Sequence, residues 1–141
     1  MTAPALLAGK IVLISGGTRG LGAGIAREAA AQGAAGLTAR GTMLDTTPEL
    51  FDSHVAINLK APFFIMSETI KHLRSRGAPG TIVNIVSMSE HAGAPYLAPY
   101  VSSKAGLAGL TRNAAHAHRW DKIRINGVNI GWSETAGEDV T

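Results

Sequence analysis

Three residues in this chain have the types and the spacing to move a proton. Tyr100 and Lys104 stand four apart in Tyr100-Val-Ser-Ser-Lys104, and Ser87 lies thirteen positions before the tyrosine. On a helix, residues four apart sit one above the other on one face. An ammonium held there favours the phenolate and lowers the pKa of the phenol. With its unperturbed pKa of about 10, tyrosine is a poor acid–base group at neutral pH, so it needs such a neighbour. Singly, these residues are ordinary, because Tyr–Lys pairs at this spacing are common on helix surfaces. Their joint order, behind a glycine-rich turn, is what points to a site.

The elements around them must do the positioning. Ser87 closes Thr81-Ile-Val-Asn-Ile-Val-Ser87, which reads as a buried strand. Its hydroxyl is then expected at the carboxyl edge of a sheet, where open α/β sheets bind ligands. Residues 100–119 read as a helix. Residues 10–15 contain Ile-Val-Leu-Ile between Gly9 and Gly16, the pattern of a buried parallel strand. Ser15-Gly16-Gly17-Thr18-Arg19-Gly20-Leu21-Gly22 follows and opens an alanine-rich helix over residues 20–32. Glycines there let the backbone turn tightly and approach a phosphate, which then lies at the positive end of the helix. Turns and close packing also need glycine, and the spacing differs from Gly-x-Gly-x-x-Gly. Residues 33–41 read as a short strand or a loop. Thr47-Pro48-Glu49 starts a helix with a cap and a first-turn proline, and the helix runs to residue 76 with a break near Pro62. Asn58 falls inside it; asparagine is a mediocre helix former, so it reads as a surface residue or a partner to a kink. Residues 77–80 make a turn, 89–99 a loop and 123–129 a third strand, before a polar tail. Strands alternating with helices predict an α/β fold, a parallel sheet covered by helices.

Composition narrows the function classes. The 141 residues suit one domain. A 45% hydrophobic and 16% charged content is that of a globular chain. No run approaches the roughly 20 apolar residues of a membrane span, and no signal peptide is legible, so a cytoplasmic location is expected. With no cysteine, thiol catalysis and cysteine–zinc sites are excluded. The net charge of +3 and pI of 9.6 are mildly basic, but the basic residues are scattered and no aromatics interleave them. They read as solvated faces rather than a nucleic-acid patch. His116 and His118 are two apart on a helix and do not make a metal site.

Together these residues resemble the short-chain dehydrogenase/reductase family. Ser15 to Gly22 is similar to that family's Thr-Gly-x-x-x-Gly-x-Gly cofactor turn. Ile57-Asn58-Leu59 resembles the segment carrying its active-site asparagine. Ser87, Tyr100 and Lys104 match its catalytic serine, tyrosine and lysine in order and spacing. Residues 124–131 resemble the segment leading to its Pro-Gly turn, with Ile130 in place of proline. The resemblance implies a Rossmann-like sheet, a cofactor that is NAD or NADP, and hydride exchange with a small-molecule carbonyl or secondary alcohol. It implies that Tyr100 moves the proton, Lys104 lowers the Tyr100 pKa and holds the nicotinamide ribose, and Ser87 binds the substrate oxygen. It also implies that Asn58 positions a water relaying protons to Lys104. Cofactor contacts are implied for Gly16, Thr18, Arg19, Gly20, Leu21, Gly22 and Thr135, besides Tyr100 and Lys104. Arg19 suits either a 2′-phosphate or ordinary packing. In the family the two long helices commonly form a dimer surface, so a homo-oligomer is expected.

The chain departs from the family pattern in one large respect. Residues 31–33 run directly into Ala34-Ala35-Gly36, which reads as the remnant of the Ala-Gly turn after the family's fourth strand. Two strand–helix units, on the order of fifty residues, are missing between them. The residue that reads the adenosine ribose goes with them, and the last strand and substrate lid are also missing. What is expected is a truncated fold of roughly strands 1, a remnant of 4, 5 and 6, in a single domain over residues 1–141. The alternative to a working enzyme is an inactive remnant acting through self-association.

Overall fold

The computed structural model of the protein describes residues 12–15 as a strand and residues 38–131 in full. The expected helix over 20–32, the glycine turn from Gly16 to Gly22, residues 34–36 and Thr135 lie outside the described residues. The described elements are β1 (Val12–Ser15), α1 (Pro48–Val55), a π-helical turn (Ala56–Lys60), α2 (Ala61–Ser75), β2 (Gly80–Ser87), α3 (Ser89–Ala92), α4 (Ala98–Ala117), a 3₁₀ turn (Arg119–Asp121) and β3 (Ile123–Ile130).

The three strands form one parallel sheet in the order β1-β2-β3. β3 pairs with the whole of β2, from Gly80↔Ile123 to Ser87↔Ile130. β1 covers only its first half, from Val12↔Thr81 to Ser15↔Asn84. The strand next to β2 is therefore the amino-terminal one, bonded to it directly.

α2 and α4 pack on this sheet through an apolar cluster of Met66, Ile70, Leu73, Ile82, Ala114, Ile123 and Ile125. Full burial of side chains of this size is worth about 1.5–3 kcal/mol each. Asn84 lies in the same layer. Its Nδ2 donates to Thr111 Oγ1 at 2.8 Å and approaches Met66 Sδ at 3.1 Å. β2 is thereby tied to both helices by polar as well as apolar contacts.

Three boundaries bear on the sequence reading, one agreeing with it and two differing, each for a physical reason. The helix from Pro48 does break before Pro62, as a π-helical turn over Ala56–Lys60. Proline has no N–H to give the carbonyl four residues back, and the Ala61 N–H reaches to Ala56 O, five back. α4 starts at Ala98 rather than Tyr100, with Pro99 in its first turn. Its Ala98 N–H is taken at 2.9 Å by Gly41 O, while Gly41 N–H goes to Tyr96 O at 2.9 Å. That parallel bridge supplies the cap a side chain would otherwise provide. The loop after Ser87 also contains one helical turn, α3, which ends at Gly93 with φ +76°, a left-handed value glycine adopts freely.

Candidate active site

Four candidate residues are brought to one end of the molecule by three elements. Ser87 is the last residue of β2, Tyr100 and Lys104 lie on the first two turns of α4, and Asn58 sits in the π-helical turn. Ser87, Lys104 and Asn58 are 8%, 5% and 2% exposed, and Tyr100 is half-buried. The Ser87 hydroxyl lies close enough to the Tyr100 phenol to draw its pKa down. Lys104 Nζ lies 5.7 Å from the centre of the Tyr100 ring and donates to Ile85 O, on β2, at 2.9 Å.

The electrostatics depart from the expected arrangement. Burial pushes the Tyr100 phenol above its ordinary value, and the Ser87 hydroxyl opposes that only in part. Lys104 was expected to hold the phenol down; here its ammonium is turned into the sheet, onto the Ile85 carbonyl. Burial lowers its own pKa from 10.5 to about 8, because desolvation disfavours the charged form.

Asn58 is neither a surface residue nor a bystander. Its Nδ2 donates to Ser103 Oγ at 3.1 Å, and Ser103 Oγ donates to Tyr100 O at 2.7 Å. Ser103 is 1% exposed. It fastens the π-helical turn to the helix that carries Tyr100 and Lys104. A hydroxyl on the buried stripe shared with Leu107, Thr111 and Ala114, one residue before Lys104, was the signal available for it in the sequence.

Ser89 is a second addition. Its N–H donates to Ser87 Oγ at 3.2 Å and its own Oγ lies 2.8 Å from Ser87 Oγ. Beyond it, His91 Nε2 lies 2.9 Å from Glu90 Oε1 and 2.8 Å from Asn129 Nδ2, close to the carboxyl end of β3. Among the described residues no group of three metal-binding side chains occurs, and no helix is long and apolar enough to cross a membrane.

A hydroxyl, a phenol and an ammonium at the carboxyl edge of a parallel sheet, with a buried amide behind them, form an acid–base constellation. Comparison with known proteins gives it a family. The short chain dehydrogenase model matches residues 34–140, and the chain belongs to that family. Carbonyl reductase [NADPH] 2 of Sus scrofa is 41% identical over 86 residues, covering 61% of this chain and 35% of that one. An uncharacterized oxidoreductase of Thermotoga maritima is 35% identical over 103 residues, 73% of this chain and 41% of its own. The chain thus spans between a third and a half of the length of these relatives. Among solved structures, 4-hydroxyisoleucine dehydrogenase complexed with NADH matches at 34% identity with a TM-score of 0.65, over 67% of this chain and 39% of that one. The same enzyme with NADH and succinate matches at 24% identity and TM-score 0.76, over 86% and 79%. At that identity the second match speaks for the fold alone.

Proposed function

We propose that this chain is an NAD(P)-linked oxidoreductase acting on a small carbonyl compound or secondary alcohol, with Tyr100 as the acid–base group. The observation that carries this reading is the convergence of Ser87, Tyr100 and Lys104 at the carboxyl end of β2, with Asn58 bonded to Ser103, the residue before Lys104. The bound nicotinamide supplies the hydride. The chain's own residues handle the proton. Tyr100 donates it to the carbonyl oxygen, or removes it from the alcohol. Ser87 donates a hydrogen bond to the same oxygen and stabilises the charge that develops there. An ammonium has three donors; with one on Ile85 O, Lys104 has donors left to suit a ribose diol. Asn58, held by Ser103, orders the water through which Lys104 exchanges protons. Gly16, Thr18, Arg19, Gly20, Leu21, Gly22 and Thr135 belong to the cofactor contacts by their match to the family pattern, and whether NAD or NADP is taken stays with Arg19.

A second reading, an idle remnant that works through self-association, is favoured by one observation, the direct pairing of β1 with β2. In doubly wound sheets of order 3-2-1-4-5-6, a dinucleotide lies across the point where strands 1 and 4 part. Here strand 1 abuts the strand carrying Ser87. Each strand is about 4.8 Å wide, and a reacting atom must come within about 3.5 Å.

One paired experiment separates the readings. The protein is titrated with NADH and with NADPH while its melting temperature is followed, and turnover is assayed in parallel for the natural chain and Tyr100→Phe. A ligand bound only by the folded state raises the melting temperature. A saturable rise with one cofactor, and turnover abolished in the variant, is the result expected. Turnover that survives Tyr100→Phe removes the tyrosine from its role, and no rise with either cofactor selects the remnant.

A further inference from the structure

Ser87 has one proton to give and two lone pairs to receive with. The structure places the Ser89 N–H at 3.2 Å and Ser89 Oγ at 2.8 Å from its oxygen, with the Tyr100 phenol beside it. The backbone N–H fixes one lone pair, whatever else happens. What remains is a row of three oxygens, Ser89–Ser87–Tyr100, in which the direction of the Ser89–Ser87 bond is not fixed by geometry and a Ser87–Tyr100 bond can form either way.

The charge on the third oxygen fixes it. While Tyr100 keeps its proton, the phenol donates to Ser87 and Ser87 donates on to Ser89. When Tyr100 has released its proton, a phenolate can only accept. Ser87 must then turn its proton toward it, and Ser89 turns its own toward the lone pair of Ser87 that has been vacated. Hydrogen bonds to a charged acceptor are roughly twice as strong as neutral ones, and bonds in a chain polarise one another by about 10–30% each. The reversed chain is therefore the stronger of the two.

We propose that Ser89 is a positioning residue of this site, a second hydroxyl that backs Ser87 whenever Ser87 donates to a negatively charged oxygen, be it the phenolate or a substrate alkoxide. Ser89 acts through Ser87 and touches no reacting atom itself. Burial drives the phenol away from ionising, and among the described residues Ser87 pulls the other way. The element that determines how well Ser87 does this is the first residue of α3. Among the described residues, the neighbouring elements also carry Lys104 on α4, the buried His54 on α1, and Glu90 and His91 on α3, which pair with each other beside Asn129 of β3. None of these shares a hydrogen bond with Ser89 Oγ.

The chain has two tyrosines, Tyr96 and Tyr100, and Tyr96 is 68% exposed, so one ring is a built-in standard for the other. Both are replaced by 3-fluorotyrosine, whose phenol ionises at lower pH and keeps the titration clear of alkaline unfolding. Fluorine NMR then follows each ring separately. Ser89→Ala is expected to move the Tyr100 ionisation upward, by less than Ser87→Ala does, and to leave Tyr96 in place. In a Ser87→Ala background, Ser89→Ala is expected to add nothing, because its only route to the phenol is gone. Should Ser89→Ala disturb the fold, the isosteric pair Ser89→Thr and Ser89→Val isolates the hydroxyl, and only the valine is expected to show the shift. An unchanged or lowered Tyr100 ionisation in Ser89→Ala, or a shift that persists without Ser87, overturns the proposal. It builds on the acid–base role given to Tyr100 above, but it reads ionisation rather than turnover. A chain without turnover that shows the Ser87-dependent shift defeats the enzyme reading and keeps this one; a working enzyme without the shift does the reverse.

Discussion

Lys104 is the residue at which family pattern and observed geometry part. It is 5% exposed, and its ammonium is held by a backbone carbonyl rather than by an acidic partner. A buried cation with one neutral acceptor is costly, and the fold answers by depressing its pKa to about 8. The consequence for stability follows from proton counting. Above pH 8 the folded chain has begun to release this proton while the unfolded chain, near its ordinary 10.5, still holds it. The unfolded state binds more protons, so stability rises with pH from about 8 toward 10.5, is lost as pH falls back across that window, and is level below about 8. Tyr100 works in the opposite sense, its raised pKa costing stability once pH passes about 10, so the lysine contribution is read below that point. Urea unfolding of the natural chain and of Lys104→Met, in a series from about pH 7 to about pH 10, should diverge by up to roughly 3 kcal/mol. The natural chain should gain as pH rises and the variant should stay level. Parallel curves would mean that the ammonium is hydrated in solution and the Ile85 contact is not maintained.

At the scale of elements, the site depends on the joint between the π-helical turn and α4. A buried polar contact spans it, Asn58 Nδ2 to Ser103 Oγ. Losing a buried hydrogen bond costs about 0.5–1.5 kcal/mol, and up to about 3 kcal/mol where a polar group is left without a partner. Asn58→Ala and Ser103→Ala should each destabilise by that amount. The double variant should cost less than the sum, since the two act on one bond. Strict additivity in denaturant unfolding would show that they act separately. The sequence made much of this frame legible. Thr81 to Ser87 and Ile123 to Ile130 are apolar or alternating runs bounded by turns, and Thr47-Pro48 is a local start signal satisfied by a local bond, Leu50 N–H to Thr47 Oγ1 at 3.2 Å. Pro62 marked where the long helix breaks because a missing donor is visible in the sequence. The form of the break was not, since widening to a π-turn depends on what Asn58 packs against forty-five residues later. Ser89 and Ser103 were passed over for the same reason. A single hydroxyl has no periodicity, and its meaning comes only from a tertiary partner.

For the whole molecule, the question is what the groove between α2 and α4 does. α2 and α4 leave between them a groove of about 500 Å³, floored by Met66, Ile70, Leu110 and Ala114, with Phe63 at its wall and Arg74 at its rim. Phe63 is 48% exposed and stacks edge-on against Phe64, itself 55% exposed, with ring centres 5.3 Å apart. An apolar groove flanked by exposed aromatics is the kind of surface that associates. Under either proposed function, self-association here would cover it, the groove of one copy receiving α2 of another. The two phenylalanines provide the discriminating pair, because Phe63 lines the groove and Phe64 does not. Sedimentation of the natural chain should give a dimer. Phe63→Asp should weaken association roughly tenfold or more, as expected for an aromatic anchor at the centre of an interface. Phe64→Asp, one residue along the same helix, should leave it largely intact. A dimer insensitive to Phe63→Asp would place the contact elsewhere, such as around Trp120, which is 81% exposed. A monomer at all concentrations would mean that the groove is open in solution. In that event a single copy of the chain would have to hold the Ser87–Tyr100–Lys104 geometry, and the Lys104 titration would be the more sensitive gauge of whether it does.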